Sequence, residues 1–300
     1  MKQLNQFITE YIIKKKLDKP IDSEDNYKYY PKTKDELIHN IKNLIKHDIY
    51  DFNCIDISKI TDMSNLFRTI NVSTNIDVSN WNVSNVETME GMFAYCNKFD
   101  CDLSNWDVSN VTDMKGMFTW CDNFTGKGLE KWDVSNVTNM KYMFGNCIKF
   151  EGKSIENWDV SNVISTRNMF YRCENLDCNL SNWDVSKVED MDNMFCLTSF
   201  TGKGLEKWNV SNVYNMRDMF NGCNEFDCDL SNWDVSNVEN MEGMFRGCKK
   251  FKGKGLDKWN PVNLKVIRVM FDNCDMKDKP KWFYDKCYSY KNKKHKRMYF

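Results

Sequence analysis

Residues Trp106–Phe118 read WDVSNVTDMKGMF, and Trp132–Phe144 read WDVSNVTNMKYMF. Trp81, Trp106, Trp132, Trp158, Trp183, Trp208, Trp233 and Trp259 recur at intervals of 25 or 26 residues, and Ile55 holds the same place one period earlier, making nine copies. With Trp as position 0, apolar residues fall at −3, 0, +2, +5, +8, +11, +12, +15 and +18. This is neither a strand alternation nor a helical stripe. Spacings of three, with one two-residue step at W-x-V, suit a chain turning repeatedly around one interior. Self-similarity at this period predicts a repeat solenoid, in which no copy can bury its own apolar face alone.

Within each copy, W-x-V reads as one short strand, its two large residues pointing the same way. Ser at +3 and Asn at +4 supply turn chemistry. M-x-x-M-F reads as a short helical or 3-10 turn, with Met filling an irregular interior. Stacking at strand spacing would give a rod roughly 40 Å long. The connector before Trp is either short (CDLSNW) or one residue longer and glycine-bearing (GKGLEKW). The copy at Trp183 lacks one residue after Phe195, which predicts a local kink.

Three regions follow: 1–50 as an N-terminal helical segment and cap, 51–275 as the repeats, and 276–300 as a C-terminal cap and basic tail. Thr33 and Glu36 match a capping box ahead of Leu37, Ile41, Leu44 and Ile45, which share one helical face. Leu4, Phe7, Ile8, Tyr11 and Ile12 form an earlier stripe, read as a second capping helix or as a docking or membrane-surface helix. Trp282, Phe283 and Tyr284 are expected to fold over the last copy. The formal net charge of −1 conceals a polarity: residues 51–275 carry 23 basic and 33 acidic side chains, and the last 25 carry nine basic and two acidic ones. The basic run 291–297 reads as a solvated tail or as a contact for anionic polymers.

The WDVSNVTDMKGMF and WDVSNVTNMKYMF strings resemble the BspA-like leucine-rich-repeat family, and PKTKDELIHNIKNLIKH followed by IDISKITDMSNLF is similar to that family's lead-in. The resemblance spans about residues 30–275. It implies a right-handed solenoid of leucine-rich-repeat type, found in cell-surface and host-contacting proteins, and supplies no catalytic residues. The first residues lack a signal-peptide apolar region, and no stretch approaches the length of a membrane span. A cytoplasmic location is therefore expected, with the cell surface as the alternative.

Three columns could carry chemistry. Cys96, Cys121, Cys147, Cys173, Cys223, Cys248 and Cys274 share position +15, with Cys101, Cys178 and Cys228 nearby. They read as small buried apolar groups, or as a metal or redox ladder, although the wide spacing and the lack of His between His47 and His295 disfavour zinc. Asp107, Asp133, Asp159 and Asp184 follow Trp, with Asn82, Asn209 and Asn260 in other copies. They close the Ser-Asn turn, hold Ca²⁺, or line a ligand-facing stripe. Variable positions supply the third set: Tyr95, Trp120, Tyr171 and Arg172 at +13 and +14, with Tyr142 at +10. These types are enriched in interface hot spots. With no Ser–His or Cys–His pair possible inside the repeats and no phosphate-cradling loop, no enzyme activity is expected. The expected function is a monomeric protein–protein interaction scaffold without metal or cofactor, its partner site formed by those five residues. A surface adhesin and anionic-polymer binding through the tail are the alternatives; nucleic acid is not expected as a partner.

Overall fold

In a computed structural model of the chain, residues 27–287 are described. The apolar stripe from Leu4 to Ile12 and the basic run 291–297 lie outside them. Helix α1 (Lys34–Ile45) opens the described chain, with Thr33 as N-cap accepting from the Glu36 amide at 3.2 Å. The Glu36 carboxylate reaches back to the Lys32 amide, at 2.6 Å, one residue earlier than a standard capping box would have it. Leu37, Ile41 and Leu44 are buried and belong to the same core as the repeats. Helix α2 (Leu66–Ile70) belongs to the first copy and packs against α1.

Copies lie one upon the next in parallel register. Isolated parallel bridges join Asp62 to Thr88, then Asp113, Asn139, Ser165, Asp190, Asn215, Asn240 and Val266, all at position +7. The expected strand at W-x-V is therefore displaced: pairing occurs beside M-x-x-M-F. Turns consume the W-x-V backbone. The Trp106 amide donates to Leu103, and the Val111 amide to Val108. Side chains join the copies here instead. The indole of Trp132 donates to the Leu103 carbonyl at 3.1 Å, and that of Trp158 to Leu129 at 2.8 Å. The Asn110 amide group meets the Ser84 carbonyl, and Asn136 meets Ser109, again one copy back.

At M-x-x-M-F the first copy has helix α2 and the later described copies have hydrogen-bonded turns, while the 3-10 helices lie outside that segment. Leu129–Lys131, Lys153–Ile155, Leu205–Lys207 and Leu256–Lys258 all occupy the longer connectors. Gly128, at φ 91°, opens the first of these, where a Cβ would lie 2.2 Å from the Ser104 amide nitrogen. That backbone-on-backbone approach requires glycine.

Rings at +12 form the centre of the core. Phe93, Phe118, Phe144, Phe170, Phe195, Phe220, Phe245 and Phe271 stack with centroids 5.6–5.8 Å apart. Each such pair adds about 0.5–1.5 kcal/mol beyond its buried area. The short copy at Trp183 does not interrupt the column, because Thr198 takes the cysteine's place and donates to the Phe195 carbonyl at 2.7 Å. The missing residue is absorbed within that turn. At the far end Trp282 repeats the tryptophan geometry, donating to Leu256 at 2.6 Å and stacking 6.1 Å from Trp259, while Phe283 meets Phe271 edge-on.

Replacing Trp183 with Phe removes the donor to the Ile155 carbonyl, now made at 2.9 Å in the buried interior. The Ile155 carbonyl keeps the Trp158 amide as a donor, so the loss is that of one buried hydrogen bond, about 0.5–1.5 kcal/mol. Urea unfolding should show that loss as a lower midpoint; an unchanged midpoint would contradict the role given to the indole bond.

Candidate functional site

The arm from +8 to +14 divides its amides between two uses. Those of Met89, Gly91, Phe93 and Tyr95 donate to carbonyls of the next copy: Asp113, Lys115, Met117 and Thr119. Those of Met92, Ala94 and Cys96 close turns inside the copy, to Met89, Gly91 and Phe93. An arm that alternates between these uses turns sharply, and positions +10 and +14 adopt positive φ in copy after copy. Gly91, Gly116 and Gly243 do so at +10, as do Asn168 and Asn193; Asn146, Gly222 and Gly247 do so at +14. Glycine tolerates this region freely and Asn with little strain.

Four of the five sequence-selected residues occupy these positions with bulkier side chains. Tyr95 (φ 69°), Trp120 (62°) and Arg172 (56°) stand at +14, and Tyr142 (60°) at +10. A left-handed backbone costs such residues about 1–2 kcal/mol each. Tyr95, Trp120 and Tyr142 remain 55%, 42% and 39% exposed. The Tyr95 and Trp120 rings stack 6.4 Å apart at 12°, and the Arg68 guanidinium lies 5.2 Å over Tyr95. Tyr95 and Tyr142 border a shallow hollow of about 210 Å³, with Gly91, Gly116 and Ala94 also lining it. Lys115 and Glu90 lie alongside, ion-paired at 2.7 Å, and that carboxylate raises the Lys115 pKa.

Tyr171 and Arg172 lie on the same arm beyond this cluster. Asn146 separates Trp120 from Arg172 in the +14 column, and Tyr171 is half-buried. Sequence spacing passed over Arg68, at +13 of the first copy, because its column mixes residue types and its contact with Tyr95 comes from the neighbouring copy. It also passed over Leu197 on this arm and Ile164 and Tyr214 beside it at +6, which are 44%, 47% and 46% exposed.

The other two columns resolve into structural contacts. Cys121, Cys147, Cys173, Cys223 and Cys248 point their thiols at the Phe carbonyl of the preceding copy, at 2.9–3.0 Å. Burial pushes the Cys96 pKa up to about 12 and the Cys223 pKa to about 11. The residue after Trp accepts from the Ser amide two positions on, as with Asp107 to Ser109 and Asn209 to Ser211, both at 3.1 Å. Carboxylate and amide thus make the same turn. Among the described residues, no group of three or more His, Cys, Asp or Glu is placed to hold a metal ion.

These observations define a tandem-repeat protein with a registered core and one outward arm that carries strained, exposed aromatic groups. Among the described residues, no helix is long and apolar enough to cross a membrane. The chain belongs to the family described as Mycoplasma protein of unknown function, DUF285, whose profile matches residues 35–150, 112–202 and 196–298. No curated protein matches it.

The thiolate is the reactive form of cysteine, so the column thiols should resist a disulfide reagent at pH 8 until the chain unfolds. Rapid labelling of Cys121 or Cys147 in the native protein would contradict their burial. The acidic turns carry a pH signature. The Ser104 amide, then Lys127, lowers the Asp102 pKa to about 2, and the Ser231 amide, then Lys254, does the same for Asp229. Depressed folded values mean that this stability is present above about pH 4 and is lost as pH falls toward 2. Asp102→Asn with Asp229→Asn, copying Asn179 in a related connector, should flatten the fall in urea midpoint over that range.

Proposed function

We propose that the chain is a solenoid of leucine-rich-repeat type, akin to the BspA-like proteins its copies resemble, acting as a non-enzymatic scaffold for a protein partner. The arm from +6 to +14 is the face that meets the partner. One observation carries this reading: Tyr95, Trp120 and Tyr142 keep large rings in solvent at left-handed positions where most other copies carry Gly or Asn, with Asp218, Val269, Arg172 and Leu197 as the exceptions. Strain of this kind persists where the surrounding structure enforces it, and it concentrates at functional sites. Ring stacking and the Arg68 contact offset part of the cost at Tyr95 and Trp120. For Tyr142, no ring contact among the described residues does so. Free thiols in the cysteine column suit work in a reducing compartment.

The reading separates stability from binding. Tyr142→Asn should leave the protein as stable or add up to about 1 kcal/mol, since Asn is already used at that position in two following copies. Tyr95→Asn/Trp120→Asn should stay within about 1.5 kcal/mol of the parent, because stacking and strain relief oppose one another. All three changes together should abolish recovery of the partner that the parent captures. A loss of several kcal/mol from Tyr142→Asn would make the ring a structural element and defeat the proposal.

A further inference from the structure

Arginine is distributed over this molecule in an informative way. Six of the seven arginines are described: Arg68, Arg167, Arg172, Arg217, Arg246 and Arg268, and every one stands at +9, +13 or +14. Lysine is far commoner in the chain, yet among the described residues only Lys115 and Lys141 share those columns. Arginine's planar fork suits it to pair with carboxylates at interfaces, where lysine's flexible ammonium is less apt.

The three consecutive copies at Trp106, Trp132 and Trp158 differ from the rest of the arm. Their outward positions at +6, +9, +10, +13 and +14 hold Lys115, Lys141, Arg167 and Arg172 and no acidic residue. The backbone brings these copies into direct register, with Gly116 donating to the Lys141 carbonyl at 2.7 Å and Tyr142 to the Arg167 carbonyl at 2.9 Å. Asp113, at +7, is turned to internal use, accepting from the Lys115 amide and from Asn139. Acids return on either side: Glu87 and Glu90 before, Glu189 and Asp192 after. Glu90 pairs with Lys115, and Asp192 holds Arg167 at 3.0 Å. Arg172 has only a 4.0 Å contact with Glu174. Lys141 and Arg172 therefore carry most of the open positive charge, set among Trp120, Tyr142 and Tyr171.

We infer that this zone binds a short acidic segment of a protein partner, with carboxylates meeting Lys141 and Arg172 and apolar side chains lying against Trp120 and Tyr142. The inference rests on the scaffold reading and adds the chemistry of the partner. Charge complementarity selects the occupant, since the zone is cationic within an acidic body. Its length selects a peptide over a nucleic acid. Three copies at strand spacing cover about 14 Å, room for about four extended residues. A continuous phosphate backbone would run onto Glu87 and Glu90 at one end and the exposed Glu189 at the other.

The test uses the full chain and a fluorescein-labelled random copolymer of Glu and Tyr, followed by anisotropy. Binding is expected, weakening as salt rises. Lys141→Glu and Arg172→Glu should each lower affinity at least tenfold, while Lys131→Glu, exposed in a connector, and Lys293→Gln/Lys294→Gln, in the tail, should leave it unchanged. No binding, equal loss from the connector or tail variants, or equal competition by heparin and by a Glu/Tyr copolymer would overturn the inference, heparin marking a general polyanion site. Partner capture that needs Tyr95 and Trp120 but ignores Lys141→Glu/Arg172→Glu would also overturn it, and would leave the scaffold reading standing. Circular dichroism and urea midpoints matching the parent establish that the charge variants are folded.

Discussion

The alternation of amides along the +8 to +14 arm is the constraint on which the rest depends. Every second N–H donates to the next copy and every other one closes a turn within its own. The first use holds the copies in register; the second makes each copy turn back on itself. Neither can be given up, because an unmet backbone donor in this buried seam costs free energy comparable to a lost hydrogen bond. The left-handed positions at +10 and +14 are the conformational consequence. They also turn Met at +8 and +11 and Phe at +12 inward, where the stacked rings fill the interior. Core and outward face thus share a single cause.

On the opposite side, a different device achieves the same registration. The indole bond and the Asn amide bond replace backbone rungs with side-chain donors aimed one copy back. This explains the two-residue spacing of Trp and Val without any strand. Both residues point inward because consecutive turns set them so; the indole shares the carbonyl that already closes the turn before Trp in the preceding copy, and the Asn amide group takes the Ser carbonyl. Asp and Asn interchange after Trp because only an acceptor oxygen is needed to meet the Ser amide.

Much of this was legible in the sequence, for identifiable reasons. Register, interior positions and the Ser-Asn turn follow from residue types that admit few roles at a fixed spacing. The location of pairing did not, because Trp-x-Val carries the same two-residue signature whether pleat or turn produces it. Strain at Tyr95, Trp120 and Tyr142 left a clear trace that appears only when the copies are aligned in columns. Gly91, Gly116, Gly243, Asn168 and Asn193 share one column with Tyr142, and a column of Gly and Asn signifies positive φ. Row by row, the same residues look like ordinary variation. Arg68 left no such trace, since the +13 column around it holds Ala94, Thr119 and Gly145 and shows no shared residue type.

Those columns also limit how the outward face can vary. A side chain at +10 or +14 leans onto the next copy: Leu197 lies where a Cβ on Gly222 would come within 2.6 Å, and the Asp218 carboxylate where one on Gly243 would come within 2.2 Å. Asn65 stands in the same relation to Gly91, at 2.7 Å. A glycine in the next copy leaves that space free; where none follows, as from Tyr142 to Asn168 or from Arg172 to Leu197, the two side chains divide it. Tyr95 and Trp120 share it by stacking nearly parallel. Side chains on this face are thus chosen with regard to the copy that follows, and stacking is how the aromatic pair at +14 meets that condition. From Tyr95 to Leu197 five consecutive copies forgo glycine at +14, and the aromatic cluster stands where the first two of them carry flat rings that can stack.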